Sequence, residues 1–91
     1  MDRLHAYFSG TVQGVGFRYL VQNCAKNYAI SGWVRNRCDG RVELLAEGSK
    51  ADLQSLFELI CEKMEGYISG REVHWETANG EFERFVIEQT L

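Results

Sequence analysis

The residues best suited to chemistry lie in one glycine-rich run near the start of the chain, Gly10-Thr11-Val12-Gln13-Gly14-Val15-Gly16-Phe17-Arg18. Its three glycines allow backbone N–H groups to turn inward around a bound group, because glycine has no Cβ to obstruct the approach. Arg18 adds a planar set of donors that matches the oxygens of a phosphate. The run therefore predicts a small phosphate-binding site.

The elements on either side of this run support the prediction. An alternating apolar segment (Leu4, Ala6, Phe8) precedes it, and an amphipathic helical pattern begins at Phe17. A loop that leads into a helix N-terminus offers unpaired N–H groups and the positive end of the helix dipole to an anion. We therefore expect the phosphoryl group to be bound by the loop residues Gln13, Gly14, Val15, Gly16, Phe17 and Arg18.

The glycine spacing is not that of the common nucleotide-binding loops. Gly10, Gly14 and Gly16 do not form G-x-G-x-x-G, and no Gly-Lys-Ser/Thr follows them, so the sequence gives no support for a nucleotide. Taken alone, the run is equally compatible with an ordinary connection between a strand and a helix in which glycine serves turn geometry.

A second cluster occupies residues 32–48. Two short strands are predicted there, Ile30 to Arg37 and Arg41 to Glu47, joined by a tight turn at Cys38-Asp39-Gly40. Asn36 is unusual near the end of the first strand, because asparagine is disfavoured in strands. Either Asn36 already belongs to the turn, or its amide has a chemical role.

Taken together, the two clusters resemble the signatures of the acylphosphatase family. The first signature corresponds to Phe8 through Arg18, with a slight departure at Phe8, where a branched aliphatic residue is more usual. The second signature is filled at every place by Gly32, Trp33, Val34, Arg35, Asn36, Gly40, Val42 and Gly48. The resemblance covers the chain from end to end and implies a single acylphosphatase-like domain over residues 1–91.

The resemblance implies a hydrolase that cleaves the carboxyl-phosphate bond of acyl phosphates. It assigns binding of the phosphoryl group to Arg18 and positioning of the nucleophilic water to Asn36. The leaving group is a carboxylate and needs no general acid, so the main requirement is donors aimed at the phosphoryl oxygens. The acyl group stays open among acetyl, carbamoyl and phosphoglyceroyl.

No metal and no cofactor are expected. The sequence suggests no Ser-His-Asp set, places no cysteine in the glycine loop, and shows no carboxylate cluster for magnesium. We therefore expect direct attack by water on phosphorus without a covalent phosphoenzyme.

The apolar periodicity predicts the elements that position these residues. Two helical stripes recur at the same spacing, and Ser49 with Asp52 forms a capping box before the second. Alternation at Val42, Leu44 and Ala46, at Val73 and Trp75, and at Phe85 and Ile87 predicts half-buried strands. The stripes comprise Phe17, Leu20, Val21, Cys24, Ala25 and Tyr28, and then Leu53, Leu56, Phe57, Ile60, Cys61 and Met64.

The predicted order is strand, helix, strand, strand, helix and strand, with a short strand at the C-terminus. This order predicts an α+β, ferredoxin-like split βαβ sandwich, with two helices on one face of a mainly antiparallel sheet of four to five strands.

The charge and composition narrow the range of partners. A formal net charge of −3 argues against nucleic acid, and the local arginines at 18, 35, 37 and 41 suit a small anion better than a polyanion. For Arg37 and Arg41 a solvated strand face is the favoured interpretation. No apolar run approaches a membrane span and no secretory signal is visible. We expect a monomer.

The cysteines and histidines predict no metal site. Cys24 and Cys61 fall on helix stripes, Cys38 lies in the hairpin turn, and none forms a C-x-x-C pair. A cytoplasmic location follows from this usage, although one disulfide among the three remains open. His5 and His74 are interpreted as ordinary strand residues.

Two other functions share the predicted topology. An RNA-recognition domain needs aromatic motifs on central strands, but Gly16-Phe17-Arg18-Tyr19 falls at a helix start. A non-catalytic phosphate or carbamoyl-phosphate binding module would be related to the acylphosphatase-like domain of hydrogenase-maturation carbamoyltransferases. Those proteins continue into zinc motifs and catalytic domains, whereas this sequence ends at Leu91, so a freestanding enzyme is expected.

Overall fold

Five strands and two helices follow one another in the predicted order. The computed structural model describes all residues from Met1 to Leu91. In chain order the elements are β1 (Asp2–Gly10), α1 (Phe17–Ala25), β2 (Ser31–Asn36), β3 (Val42–Gly48), α2 (Lys50–Lys63), β4 (Ile68–Thr77) and β5 (Phe85–Ile87).

The strands form one five-stranded sheet in the order β4-β1-β3-β2-β5. Strand β1 pairs with β3 and β4, and β2 with β3, in antiparallel register, whereas the short β5 lies parallel to β2. Both helices pack on the sheet, as the split βαβ pattern predicts. The predicted ferredoxin-like α+β architecture is confirmed.

The core lies between the helices and the sheet. Leu4, Ala6 and Phe8 of β1 alternate into it, and they meet Phe17 and Val21 of α1. The Phe8 and Phe17 rings lie 5.2 Å apart, so the last buried residue of β1 contacts the first residue of α1. This contact fixes the two ends of the glycine loop relative to each other.

The first helix is shorter than its apolar stripe predicts. It ends at Ala25, whereas the stripe continues to Tyr28. The backbone N–H and the side-chain amide of Asn27 both donate to the Cys24 carbonyl, and Tyr28 N–H donates to Ala25, so i to i+3 bonds close the helix. Tyr28 still packs against the core from the following turn.

The second helix begins as predicted. The Ser49 hydroxyl accepts a hydrogen bond from the Asp52 N–H at 3.1 Å. The reciprocal bond of a full capping box, from the Ser49 N–H to the Asp52 carboxylate, is not formed. Aspartate is one methylene shorter than the glutamate usual at that position.

Strand β3 differs from its prediction as a half-buried strand. All seven of its residues are buried, including Glu43 and Glu47 on the face away from the helices. Strand β3 lies at the centre of the sheet, and side chains of β1 and β2 cover both carboxylates. The edge strand β4 is less buried than predicted, since its Trp75 is 42% exposed.

Neither helix has the length and apolar character needed to cross a membrane.

Candidate active site

The glycine loop joins the end of β1 to the start of α1. Gly14 and Gly16 adopt left-handed backbone conformations, with φ of +75° and +77°, and a Cβ built on either would meet nothing within 4 Å. Backbone conformation, and not crowding, is therefore what requires glycine at these two positions. The space beside both residues leaves the backbone open to a bound group.

The N-terminus of α1 has no internal partner for its dipole. Gly16 is the N-cap residue and provides no side chain, and the first turn contains no acidic residue. Unpaired N–H groups and the positive end of the dipole are concentrated there. This arrangement favours binding of an anion.

Arg18 lies in that first turn and is half-buried. It forms no salt bridge, whereas Arg3, Arg35, Arg37 and Arg41 each pair with a carboxylate. A cation near a helix N-terminus is unfavourable for the helix itself. Its guanidinium is available to an anionic ligand at the same place as the loop amides.

Asn36 is the last residue of β2, so it belongs to the strand and not to the turn. Its Oδ1 is buried and accepts no hydrogen bond from the protein. This amide oxygen is an unsatisfied acceptor for an N–H or O–H donor. The backbone of Asn36 is held by its register with Val42 and by a bond from the Leu91 N–H at 3.1 Å.

One cavity of about 210 Å³ brings these groups together. Its volume lies below the ~300 Å³ at which pockets for drug-sized ligands begin, so it fits a small molecule. The residues lining it are Val12, Gly14, Gly16, Phe17, Arg18, Tyr19 and Asn36.

Four of the six predicted loop residues line this cavity, and two do not. Val15 is 37% exposed. The Gln13 side chain turns away, and its Nε2 donates to the carbonyl oxygens of Arg37 at 2.7 Å and Arg41 at 2.9 Å. Gln13 thereby fastens the glycine loop to the hairpin that carries Asn36.

Two further residues line the cavity, Val12 and Tyr19, and neither was predicted from the sequence. Val12 is only 1% exposed. Its apolar side chain inside an otherwise polar glycine loop was the signal in the sequence that could have indicated its burial. Tyr19 is 65% exposed at the cavity. Its position off the apolar stripe of α1 was the signal that an aromatic ring stands outside the core.

Of the four local arginines, Arg35, Arg37 and Arg41 lie away from the cavity. Strand alternation directs Arg35 to the face of the sheet opposite Asn36, and both Arg35 and Arg37 bind Glu43 there. Arg41 pairs with Asp39. Only Arg18 remains free to act at the cavity.

Glu43 is the centre of a cluster on that opposite face. Its Oε1 accepts from Arg35 Nε at 2.9 Å and from Arg37 Nη1 at 2.8 Å, and its Oε2 accepts from His5 Nε2 at 2.6 Å. Burial alone would raise the pKa of the Glu43 carboxyl, but the bonds from His5, Arg37 and Arg35 outweigh it and lower the pKa to about 2. Glu43 is therefore ionised at neutral pH.

The remaining titratable groups do not form a metal site. No cluster of three or more His, Cys, Asp or Glu side chains has the proximity needed to hold a metal ion. Cys24 is buried and Cys61 half-buried on their helices, Cys38 is exposed in the turn, and all three are free thiols. His5 and His74 lie on β1 and β4, as predicted.

Comparisons with known proteins agree with the signatures in the sequence. The acylphosphatase family model matches residues 4–87. An acylphosphatase from Methanospirillum hungatei is 47% identical over 74 residues, which are 81% of each chain. One from Roseiflexus sp. is 39% identical over 88 residues, covering 96% of this chain and 95% of the relative.

A solved structure shows the same fold at full length. The crystal structure of an acylphosphatase from Bacillus subtilis superposes with a TM-score of 0.87 at 39% identity, covering 97% of this chain and 99% of that one.

Proposed function

The chain belongs to the acylphosphatase family, and we propose that it hydrolyses the carboxyl-phosphate bond of acyl phosphates with Arg18 and Asn36 as catalytic residues. The observation that carries the assignment of these residues is the single cavity lined by the glycine loop, Arg18 and Asn36. The backbone of the glycine loop, Arg18 with its free guanidinium, and Asn36 line one small space.

The phosphoryl group is held by the loop and the helix start. The backbone N–H groups of the loop from Gln13 to Arg18 and the Arg18 guanidinium donate to its oxygens. Charge spreads over these oxygens in the transition state of phosphoryl transfer. Donors fixed in place before the reaction stabilise that charge without reorganisation, and this is the largest catalytic contribution we assign.

Asn36 orients the nucleophile. Its buried Oδ1 accepts a hydrogen bond from a water molecule, whose oxygen is then directed at phosphorus. The new bond forms between this oxygen and phosphorus, and the bond from phosphorus to the acyl oxygen breaks. The electron pair of the broken bond leaves with the carboxylate. One proton of the water passes to a phosphoryl oxygen, and the other stays on the oxygen that attacked.

The proposal also covers the location, the oligomeric state and the cofactor requirement of the enzyme. We place the enzyme in the cytoplasm, with its three free thiols as support. We propose that it works as a monomer without metal, cofactor or nucleic acid, and the net charge of −3 supports the last of these.

A direct assay tests the proposal. The purified protein should hydrolyse acetyl phosphate in excess chelator at the rate found without it, and should leave a phosphate monoester intact. A rate that collapses in chelator and returns with magnesium or zinc would contradict the metal-free mechanism. Binding of inorganic phosphate without turnover of any acyl phosphate would replace the enzyme with a binding module.

A further inference from the structure

Asn36 is flanked by two arginines that share one buried carboxylate. Arg35 and Arg37 both bind Oε1 of Glu43, on the face of the sheet opposite the cavity. The Glu43 carboxylate is buried, with only 3% of the residue exposed. The residue before Asn36 and the residue after it are therefore fixed to the same point of β3.

Arg37 also connects this cluster to the glycine loop. Its carbonyl accepts the Gln13 side chain and the Gly40 N–H, and its own N–H donates to Arg41. Its Nε is buried without a hydrogen-bond partner, so the Nη1 bond to Glu43, beside the ring of Tyr7, holds the guanidinium. A change at Glu43 would therefore alter the contacts of the residues on both sides of Asn36.

Removal of the Glu43 charge would leave two arginines close together without their anion. Like charges in a partly buried environment repel each other. A buried arginine without its partner is also unfavourable, so its side chain moves toward solvent. Either response moves the residues on both sides of Asn36. A displacement of about 1 Å in a group that orients a nucleophile costs on the order of 100-fold in rate.

We propose that Glu43 is a positioning residue for catalysis, which holds Asn36 in its productive direction through Arg35 and Arg37. The inference rests on the proposed role of Asn36. Glu43 does not touch the substrate, because it lies on the other face of the sheet. It acts on the orientation of the water and not on the binding of the phosphoryl group.

The chain provides a matched control for this proposal. Glu47 lies on the same strand and the same face, is 2% exposed and binds Arg3 at 2.6 Å. It also accepts the N–H groups of Asn79 and Gly80. Its partner on β2 is Ser31, at the far end of that strand from Asn36. Glu43 and Glu47 therefore share burial and pairing but differ in their relation to Asn36.

The experiment compares Glu43→Gln with Glu47→Gln at a temperature at which both are folded. Glu43→Gln should lower kcat for acetyl phosphate about 10- to 100-fold, with the inhibition constant of inorganic phosphate changed by less than about threefold. Glu47→Gln should lower the melting temperature but keep kcat within about twofold of the wild type. Equal losses of kcat in both variants would overturn the proposal.

A double-mutant cycle separates this proposal from the one on which it rests. In an Asn36→Ala background, Glu43→Gln should produce no further loss of kcat, because the group that it positions is gone. Wild-type kcat in Glu43→Gln beside an inactive Asn36→Ala would overturn the role of Glu43 alone. Substantial activity in Asn36→Ala itself would overturn the role of Asn36.

Single arginine variants cover the case in which Glu43→Gln does not fold. Arg35→Gln and Arg37→Gln each leave Glu43 with the other arginine and His5. Each should lower kcat, by less than the full loss of Asn36→Ala, without weakening the inhibition by phosphate. Unchanged kcat in both variants would overturn the proposal.

Discussion

The two helices begin in opposite ways. Helix α2 has Ser49 as its N-cap residue, and the Ser49 hydroxyl accepts a hydrogen bond from the Asp52 N–H. The helix has an acidic residue in its first turn and Lys63 in its last. Helix α1 starts at Gly16 in a left-handed conformation, without a side-chain cap and without an acidic residue. Its first turn instead contains Arg18.

We infer from this difference that the start of α2 stabilises the fold and that the start of α1 serves a ligand. The first turn of α2 has a side-chain cap on one N–H, and its acidic residue Asp52 complements the dipole beside Lys50. Helix α1 breaks each of these rules at one site, and departures from local consistency of this kind are expected where a protein binds its substrate. We infer that an anion supplies at α1 what Ser49 and Asp52 supply at α2.

The largest expected effect follows from removal of the cation at α1. Arg18→Ala should lower kcat/KM for acetyl phosphate by at least about 1,000-fold, the scale of a single arginine in phosphoryl transfer. Arg18→Lys should also be severe, because an ammonium group cannot form the two-pronged contact. Steady-state kinetics measure both effects.

Arg84→Ala is the control for Arg18, since Arg84 is exposed and makes no salt bridge. It should behave as the wild type. Near-normal activity in Arg18→Lys would remove the guanidinium from the centre of the mechanism.

An intermediate effect is expected when α1 receives an internal anion. Gly16→Asn and Gly16→Asp both have room for a Cβ, and both accept a left-handed backbone at a cost of about 1–2 kcal/mol. Only aspartate adds a negative charge where the phosphoryl group would bind. The dissociation constant of inorganic phosphate, measured by calorimetry, should be at least about tenfold higher in the Asp variant than in the Asn variant. Equal affinities would place the anion elsewhere.

The smallest effect is expected at α2. Ser49→Ala removes the cap and should lower the free energy of unfolding by about 1 kcal/mol in urea titrations. Activity should be unchanged, because Ser49 is not among the residues that line the cavity. A loss of kcat in Ser49→Ala would mean that the two helix ends are not independent.

Much of the fold was predictable from the sequence because its signals are local. The periodicity of Leu53, Leu56 and Ile60 defines a helix, and alternation at Leu4, Ala6 and Phe8 defines a strand that faces the core. The strand ends of the hairpin lie within one residue of their predicted places, since Asp39-Gly40 fixes the turn.

The site was predictable only in part, because its remaining features depend on contacts between distant segments. Burial of Glu43 depends on His5 and Arg35 from two neighbouring strands, and no local pattern indicates it. The turn of Gln13 toward the hairpin carbonyls is likewise a long-range contact. The pairing of Arg35 and Arg37 with Glu43 is also a contact between strands, and the buried carboxylate could not be identified from its neighbours in the sequence.

The measurement that tests the central claim most directly is which product receives the oxygen of the attacking water. In the proposed mechanism, donors at α1 surround the phosphoryl group and Asn36 directs water at phosphorus, so the P–O bond should break. Hydrolysis of acetyl phosphate in oxygen-18 water, with the uncatalysed reaction subtracted, should place the label in inorganic phosphate and none in acetate. Label in acetate would show attack at the carbonyl carbon and would contradict the mechanism.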